Sequence, residues 1–362
     1  MSSINQHPYD ALTPERVLDA VESVGYWSDA RIFPLNSYEN RVYQVGIEES
    51  QPLIAKFYRP DRWSREQITE EHRFTRDLQD AHIPVVAPLA NDTGETIHWL
   101  DVSDDRSDAT DPSDTDEPSA TDITPNPDKR GFWFALFARK GGHAPELDNL
   151  DNLYVLGRTI GRIHLLGASQ PFVTRPDLDV SSFGHNSRQL LLEGKWLPGH
   201  YASDYQQVTE ELLTLIEQRF ADLSDVNKIR LHGDCHPGNI LWRDDAPHFV
   251  DFDDCRTGPA IQDLWMLLSG DRNQQQRQMI EIIEGYEEFQ PFDRRELALI
   301  EPLRALRIMH YSAWLARRWK DPTFPLHFPW FNTESYWMEH LMELTELRNA
   351  IQAEPLRLSH NC

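Results

Sequence analysis

Two aspartates and an asparagine near the middle of the chain have the types and the spacing that phosphoryl transfer needs. Asp234 precedes Asn239 by five positions, and Asp251 follows Asn239 by twelve, directly after the apolar pair Phe249 and Val250. Transfer from ATP needs one carboxylate that orients the attacking hydroxyl and accepts its proton, and it needs oxygen ligands that hold magnesium on the phosphates. These three side chains can supply both.

The composition indicates a globular protein without a nucleic-acid or membrane partner. A chain of 362 residues, 40% of them hydrophobic, is long enough for two lobes with cores of their own. A formal charge of −24 opposes binding to nucleic-acid phosphates or to an anionic membrane surface. The first residues lack a signal-peptide pattern, and no window approaches the roughly 18 apolar residues of a membrane span. We therefore predict a cytoplasmic protein, and we expect a monomer.

Three cysteines do not form a disulfide pattern. Cys235, Cys255 and Cys362 are an odd number and show no paired spacing. A zinc site built from His232, Cys235, His236 and Cys255 also lacks a known ligand spacing, and it would leave the aspartates unexplained. A nucleophilic Cys235 next to His236 is disfavoured because adjacent side chains seldom face each other.

The elements that must position these residues begin with a β-rich N-terminal part. Thr13 and Pro14 are a typical N-cap and first residue of a helix, and alternating apolar residues then predict an antiparallel meander. A helix and an extended segment follow. The predicted strands are 32–35, 41–45 and 53–58, the helix is 64–79, and the extended segment is 83–88.

The segment 101–129 is different in composition, with ten acidic residues against Arg106 and Lys129. It has too few apolar residues to offset the entropy of ordering it. We predict a disordered acidic insertion between strands 96–100 and 131–137.

From residue 140 onward the apolar spacing is mostly helical. The predicted helices are 150–166, 205–220, 261–268, 275–289, 294–319 and 333–351. We expect an N-terminal lobe of residues 1–139 and a helical C-terminal lobe of residues 140–362 that carries the Asp234 segment, with a cleft for a ligand between them.

The order of these motifs resembles the protein-kinase-like superfamily. In that family a strand lysine binds the α- and β-phosphates and pairs with a glutamate of the next helix, which places Lys56 at the phosphates with Glu70 or Glu71 as partner. Glu71 shares a helical face with apolar residues, which favours it. Taken alone, Lys56 is better explained as an ordinary solvent-facing lysine of an alternating strand, but its spacing before the helix with Glu70 and Glu71 and before the aspartates favours the functional role.

The same resemblance implies roles for the three central residues. Asp234 corresponds to the catalytic base, Asn239 to a magnesium ligand, and Asp251 to the aspartate that holds magnesium at the catalytic centre. Each aspartate or asparagine taken singly also fits a turn that bonds to its own backbone. The triplet that starts at Asp251 has Asp253 where eukaryotic protein kinases have glycine.

The pattern His232-Gly233-Asp234-x-His236-x-x-Asn239 is similar to that of aminoglycoside phosphotransferases and choline kinases. Within that group, the likeness over nearly the whole chain is to a family of bacterial stress response kinases, and it excludes only the acidic insertion. The matching segments are 34–43, 56–60, 231–241, 258–268, 300–305 and 328–330. This resemblance implies an α+β, two-lobed protein-kinase-like fold with a small antiparallel N-lobe sheet and a larger, mainly helical C-lobe.

It also implies an ATP- and Mg²⁺-dependent serine/threonine protein kinase, with Ser37 in the turn that replaces the glycine-rich loop over the nucleotide. A plain hairpin turn is the alternative for Ser37. We expect structural tasks for Asp263, as helix cap or brace of the catalytic loop, and for His232, as a packed support.

The phosphoryl acceptor is left open by the sequence. Only about ten residues separate Asp251 from the helix predicted at Ile261, too few for a long phosphorylatable activation segment. A small-molecule hydroxyl kinase of the aminoglycoside, choline or homoserine type is therefore the main alternative to a protein kinase. A non-catalytic module that only holds ATP is a second alternative, and the complete set of phosphate and metal groups opposes it.

Overall fold

The computed structural model describes residues 7–103 and 130–358. Most of the segment predicted to be a disordered insertion, 101–129, lies outside the described residues. The chain forms two compact units: the first comprises the described residues up to Thr69 together with Pro88–Arg139, and the second comprises Glu70–Ala87 and the described residues from Lys140 onward. The predicted lobe boundary between residues 139 and 140 stays a prediction.

The first unit contains a helix and a five-stranded antiparallel sheet with the strand order β1-β2-β3-β5-β4. Helix α1 starts where the sequence predicts, because the Thr13 hydroxyl accepts the backbone N–H of Arg16 and Pro14 occupies the first turn. The elements are α1 (Pro14–Ser23), β1 (Ser28–Pro34), β2 (Arg41–Ile47), β3 (Leu53–Phe57), β4 (His98–Asp101) and β5 (Gly131–Ala138).

The core of this unit lies between α1 and one face of the sheet. Val17 and Val21 of α1 are fully buried, and they belong to one apolar cluster with Phe57 and Phe134 of the central strands. Each such side chain contributes roughly 1.5–3 kcal/mol when it is taken out of water. This packing holds β3 in the middle of the sheet.

The second unit is mainly helical and has two short antiparallel strand pairs, β6 with β9 and β7 with β8. Its strands are β6 (Ile229–Leu231), β7 (Ile240–Arg243), β8 (Ala246–Phe249) and β9 (Arg256–Gly258). Helix α2 (Arg65–Asp80) starts in the first unit and continues into the second. The other helices are α3 (Leu150–Gly167), α4 (Asn186–Glu193), α5 (Ala202–Asp222), α6 (Ile261–Trp265), α7 (Arg272–Tyr286), α8 (Ile300–Arg318), α9 (Thr323–His327) and α10 (Glu334–Gln352).

The predicted continuous helix 294–319 is wrong in its first turns. Residues Arg294–Leu299 form a 3₁₀ segment capped by Asp293, and α8 begins only at Ile300. The physical reason is Pro302, which lacks an N–H and fits the first turn of an α-helix but not its interior. Helices α4 and α9 were not predicted.

The core of the second unit surrounds α3, α7 and the strands near Asp234. Leu156 and Ile160 of α3 are fully buried with Ile282 of α7, Ile240 of β7 and Phe249 of β8. The hairpin is thereby fixed to the helical framework. Within the described part of the chain, no helix is long and apolar enough to cross a membrane.

Candidate active site

The loop that carries Asp234 follows β6 and is held by a buried carboxylate from α6. Asp263 accepts the backbone N–H of His232 at 2.8 Å and that of Gly233 at 2.9 Å. His164 of α3 lies 3.0 Å from the same carboxylate through its Nε2 atom. Asp263 is 1% exposed, so it acts as a brace of this loop, one of its two expected tasks.

The other expected task, capping α6, belongs to a different residue. Glu296 accepts the backbone N–H of Ile261, the first residue of α6, at 2.8 Å. Burial raises the pKa of Glu296 to about 7. Asp263 is therefore positioned by a helix whose first N–H is bound by the Glu296 carboxyl of a neighbouring segment.

His232 has the supporting role that its sequence context predicts. Its Nε2 atom donates to the carbonyl of Val250 at 2.9 Å, and its Nδ1 atom accepts the backbone N–H of Asp234 at 3.3 Å. The ring also packs on Phe252, with 4.4 Å between centroids. These contacts tie the Asp234 loop to the residues on either side of Asp251.

The carboxylate of Asp234 lies close to the polar side chains of Asn239, His236 and Arg307 in the second unit. The Asn239 amide nitrogen donates to its backbone oxygen at 3.0 Å and approaches its Oδ2 atom at 3.4 Å. His236 Nε2 lies 3.5 Å from Oδ2, and Arg307 of α8 lies 2.5 Å from Oδ1. Burial raises the pKa of Asp234, but the His236 hydrogen bond and the Arg307 charge outweigh it and lower the pKa to about 2.

The β7–β8 hairpin brings Asn239 and Asp251 to the same end of one strand pair. Ile240 is paired with Phe249, and the N–H of Val250 donates to the carbonyl of Asn239 at 3.0 Å. Asp251 is the next residue, with a left-handed backbone at φ 60° and an exposed surface position. Left-handed backbone is uncommon outside glycine and often occurs at functional sites.

These oxygen donors fit a hard divalent cation such as Mg²⁺. Because the Asn239 nitrogen faces Asp234, its amide oxygen faces away from that carboxylate. Among the described residues, no group of three or more His, Cys, Asp or Glu side chains is arranged for a metal ion. Magnesium usually takes only one or two protein oxygens and completes its shell with phosphates and water, which is what Asn239 and Asp251 can provide.

Two arginines hold the segment after Asp251. Arg175, only 4% exposed, donates to the carbonyls of Asp253 at 2.5 Å and Cys255 at 2.9 Å. Arg256 donates to the carbonyl of Asp254 at 2.9 Å and pairs with its side chain at 3.0 Å. The short segment between Asp251 and α6 is therefore fixed from both sides.

Lys56 and Ser37 lie in the first unit. Lys56 is 6% exposed on the central strand β3, and its Nζ atom lies 5.2 Å from the centre of the Tyr58 ring. The Ser37 hydroxyl accepts the N–H of Val42 at 3.1 Å and lies 3.3 Å from the Leu35 carbonyl, which it can donate to. Ser37 thus stabilises the β1–β2 turn, as the plain-turn alternative predicts. Its role at a nucleotide stays a prediction.

Glu70 and Glu71 lie in the second unit, and their carboxylates have different surroundings. Glu70 accepts the backbone N–H groups of Val173, Thr174 and Arg175 at 2.5–2.8 Å, so its carboxylate serves that loop. Glu71 is 2% exposed. Burial lowers the pKa of the Arg175 guanidinium, but Cys255, Glu71 and nearby aspartates raise it overall.

Sequence reasoning missed Arg307, Arg175, His164 and Glu296 as parts of this site. Arg307 is 73 residues away from Asp234 along the chain, and no short motif surrounds it. Only the three-dimensional packing of α8 reveals its position.

A carboxylate in a braced loop, with an asparagine and a second carboxylate at the end of a hairpin, has the groups that phosphoryl transfer needs. Residues 31–300 match the phosphotransferase enzyme family, and the chain belongs to this family. The protein is thus a kinase, and the predicted fold class, a small antiparallel sheet followed by a mainly helical part, is confirmed.

Curated relatives match over almost the whole chain. Stress response kinase A of Shigella flexneri is 41% identical over 351 residues, 97% of each chain. Serine/threonine protein kinase RdoA of Salmonella typhimurium is 41% identical over 355 residues, 98% of each chain. Among solved structures, amicoumacin kinase hAmiN in complex with AMP-PNP, Ca²⁺ and Ami has a TM-score of 0.68, with 18% identity over 94% of each chain. That last likeness concerns the fold alone.

Proposed function

We propose that the protein is an ATP- and Mg²⁺-dependent serine/threonine protein kinase of a bacterial stress response. The observation that carries this proposal is the grouping of Asp234, Asn239 and Asp251 within the second unit. The name of one relative at 41% identity, serine/threonine protein kinase RdoA, supports the protein acceptor. The name of another, stress response kinase A, supports the role in a stress response. The cytoplasmic location and the monomeric state stay predictions from the sequence.

In this mechanism Asp234 orients the acceptor hydroxyl and receives its proton. The hydroxyl oxygen forms a bond to the γ-phosphorus of ATP while the bond from that phosphorus to the β–γ bridging oxygen breaks, and ADP leaves with the bridging electrons. A carboxylate with a pKa of about 2 is a weak base, which suits a loose transition state that depends mainly on positioning. Bound Mg²⁺ at Asn239 and Asp251 would neutralise charge on the phosphates.

The nucleotide-binding residues are proposals as well. Lys56 is the residue for the α- and β-phosphates, and Ser37 is the residue of the turn at the nucleotide. Glu71 is the proposed partner of Lys56 by family resemblance, and the use of Glu70 by the loop 173–175 supports this choice.

The test compares Asp234→Asn with Asp244→Asn, a control in the turn of the β7–β8 hairpin whose side chain is 87% exposed. We expect the first variant to lose about 10³-fold or more in phosphotransfer while it retains nucleotide binding, and the control to remain active. Asp251→Ala should lose metal-dependent transfer. Near-normal transfer by Asp234→Asn contradicts the assignment of the base.

The acceptor is tested with labelled ATP, a generic protein substrate and a panel of small alcohols. Label in serine and threonine of the protein supports the proposal. Label in small alcohols alone rejects a protein kinase in favour of a small-molecule kinase, and nucleotide binding without any transfer favours a non-catalytic ATP module.

A further inference from the structure

Arg307 contacts the proposed catalytic base from a helix that no motif connects to catalysis. Its Nη1 atom lies 2.5 Å from Oδ1 of Asp234, and its side chain is 39% exposed, whereas that of Asp234 is 23% exposed. A guanidinium has five N–H donors in a planar fork and stays charged at any ordinary pH. In the part of the chain that the structure describes, Asp234 is the one acidic partner that Arg307 has.

The two oxygens of Asp234 have different surroundings. Oδ1 is bound tightly by Arg307, whereas the contacts of Oδ2 with Asn239 and His236 are long, at 3.4 and 3.5 Å. Oδ2 is therefore the oxygen better able to accept a hydrogen bond from an incoming hydroxyl. A hydroxyl bound there brings its substituents close to the partly exposed guanidinium.

We propose that Arg307 is a positioning and acceptor-selecting residue, which fixes Oδ1 of Asp234 and favours acceptors that carry an anionic group beside the reacting hydroxyl. A serine or threonine flanked by Asp or Glu is such an acceptor, and a cationic amino alcohol is not. This inference rests on the proposed role of Asp234 as the base.

The charges around Asp234 support a preference for anions. A cationic acceptor would meet a carboxylate that is already paired with a guanidinium, and it would be repelled by the positive charge of that guanidinium. Asp254, the nearby acidic residue that acts on Asp234, is itself paired with Arg256 at 3.0 Å. The remaining Arg307 donors can bind a carboxylate or phosphoryl group with charge-assisted hydrogen bonds.

The chain offers a matched control one turn earlier on α8. Arg304 pairs with Glu301 at 2.8 Å, and its guanidinium lies 5.5 Å from the centre of the Trp265 ring. Arg304→Met removes a partly exposed arginine of the same helix, and this arginine is not a partner of Asp234. Arg307→Met removes the guanidinium at the base, and Arg307→Lys keeps a positive charge without the fork.

The experiment measures kcat and KM for acceptor pairs that differ only in charge. One pair is a serine peptide flanked by Glu or by Lys, and the other is a small hydroxy acid or an amino alcohol of equal length. We expect the unchanged protein and Arg304→Met to prefer the anionic member by about tenfold or more, mainly through KM. Arg307→Met should reduce this preference to about twofold or less, and Arg307→Lys should restore part of it, with the Kd for ATP unchanged in all variants.

Results that contradict the role of Arg307 differ from those that contradict the protein acceptor. An Arg307→Met variant that keeps the full preference, or one that changes the KM for ATP instead, overturns the role of Arg307. A preference of the unchanged protein for cationic acceptors overturns it as well. Transfer to anionic small alcohols but never to peptides overturns the protein acceptor alone, because the charge preference would persist.

Discussion

The loops that carry Asp234 and Asp251 are fixed by buried side chains of opposite charge. The Asp234 loop presents backbone N–H groups, and the carboxylate of Asp263 accepts two of them. The Asp251 loop presents backbone carbonyls, and the guanidinium of Arg175 donates to two of them. In each case the backbone groups that the loop presents determine the charge of the side chain that binds them. N–H groups are bound by a carboxylate, and carbonyls are bound by a guanidinium.

These two anchors explain how two short loops that lie close to each other stay ordered. Buried backbone groups without partners are costly, and a charged partner forms stronger hydrogen bonds than a neutral one. The loops also bond to each other, since His232 bridges the Val250 carbonyl and the Asp234 N–H. The relative position of the base and the proposed metal ligand thus depends on both anchors.

Gly233→Ala should have the largest effect, because Gly233 lies where the two loops meet. Its φ of +85° disfavours any side chain, and an added Cβ would collide with the carbonyl group of Asp254. We expect a loss of more than about 100-fold in kcat and roughly 3 kcal/mol in the free energy of unfolding. Gly94→Ala is the control: its φ is +87° and nothing lies within 4 Å of the added Cβ. It should cost only about 1 kcal/mol and leave activity intact, and equal effects of the two variants would contradict the loop contact.

Asp263→Asn removes the anchor of the Asp234 loop. The two N–H groups are bound by different oxygens of the carboxylate, and an amide replaces one of these oxygens by an N–H₂ group that faces a backbone donor. We expect kcat to fall on the order of 30- to 100-fold and the free energy of unfolding to fall by about 2–4 kcal/mol. Asp271→Asn, which changes an exposed N-cap of α7, should alter neither by a comparable amount. Normal kcat in Asp263→Asn would show that the loop does not need this brace.

Arg175→Met removes the anchor of the Asp251 loop and should have a smaller, more local effect. Burial raises the pKa of the Cys255 thiol to about 12, although Arg175 opposes this, so the thiol is protected from alkylation in the folded protein. With the guanidinium gone, the carbonyls of Asp253 and Cys255 lose their donor and the segment opens more often. We expect about tenfold lower kcat and at least about tenfold faster labelling of Cys255.

Peptide mapping distinguishes this site from Cys235, whose labelling should not change. Arg188→Met is the control, since Arg188 also donates to a backbone carbonyl, that of Gln206, but away from both loops. Labelling of Cys255 at the same slow rate in all variants would refute the anchoring role of Arg175.

Local sequence patterns could predict the residues of the loops themselves but not the distant arginines that contact them. The spacing of Asn239 and Asp251 is a property of one hairpin, in which Ile240 pairs with Phe249, and a short range of sequence encodes it. The brace by Asp263 was one of two tasks expected for that residue, which lies 30 residues from Gly233 along the chain. Arg175 and Arg307 lie 78 and 73 residues away from their partners, so their roles depend on helix packing that no local pattern records. The end of the 3₁₀ segment at 299 and the start of α8 at Ile300 follow from a local signal, because Pro302 favours the first turn of an α-helix.

Glu296→Gln should have the smallest effect on activity and a distinct effect on the pH dependence of stability. Glu296 accepts the first N–H of α6, the helix that carries Asp263, and burial raises its pKa from 4.5 to about 7. Folding therefore favours the protonated carboxyl. Its contribution to stability is complete below about pH 4.5 and is lost as the pH rises through 7, a decrease of up to about 3 kcal/mol.

Glutamine keeps an oxygen for the Ile261 N–H and cannot ionise, so the variant should not lose stability over this range. Chemical denaturation at pH 5 and pH 8 measures the difference, with Glu334→Gln in the exposed first turn of α10 as the control. The same decrease in both variants and in the unchanged protein would exclude Glu296 as its source. Asp234 makes the opposite contribution: its lowered pKa stabilises the fold above about pH 4, and this stabilisation disappears only as the pH falls towards 2. The base and the helix cap behind its loop should thus titrate on opposite sides of the pH range in which the protein is most stable.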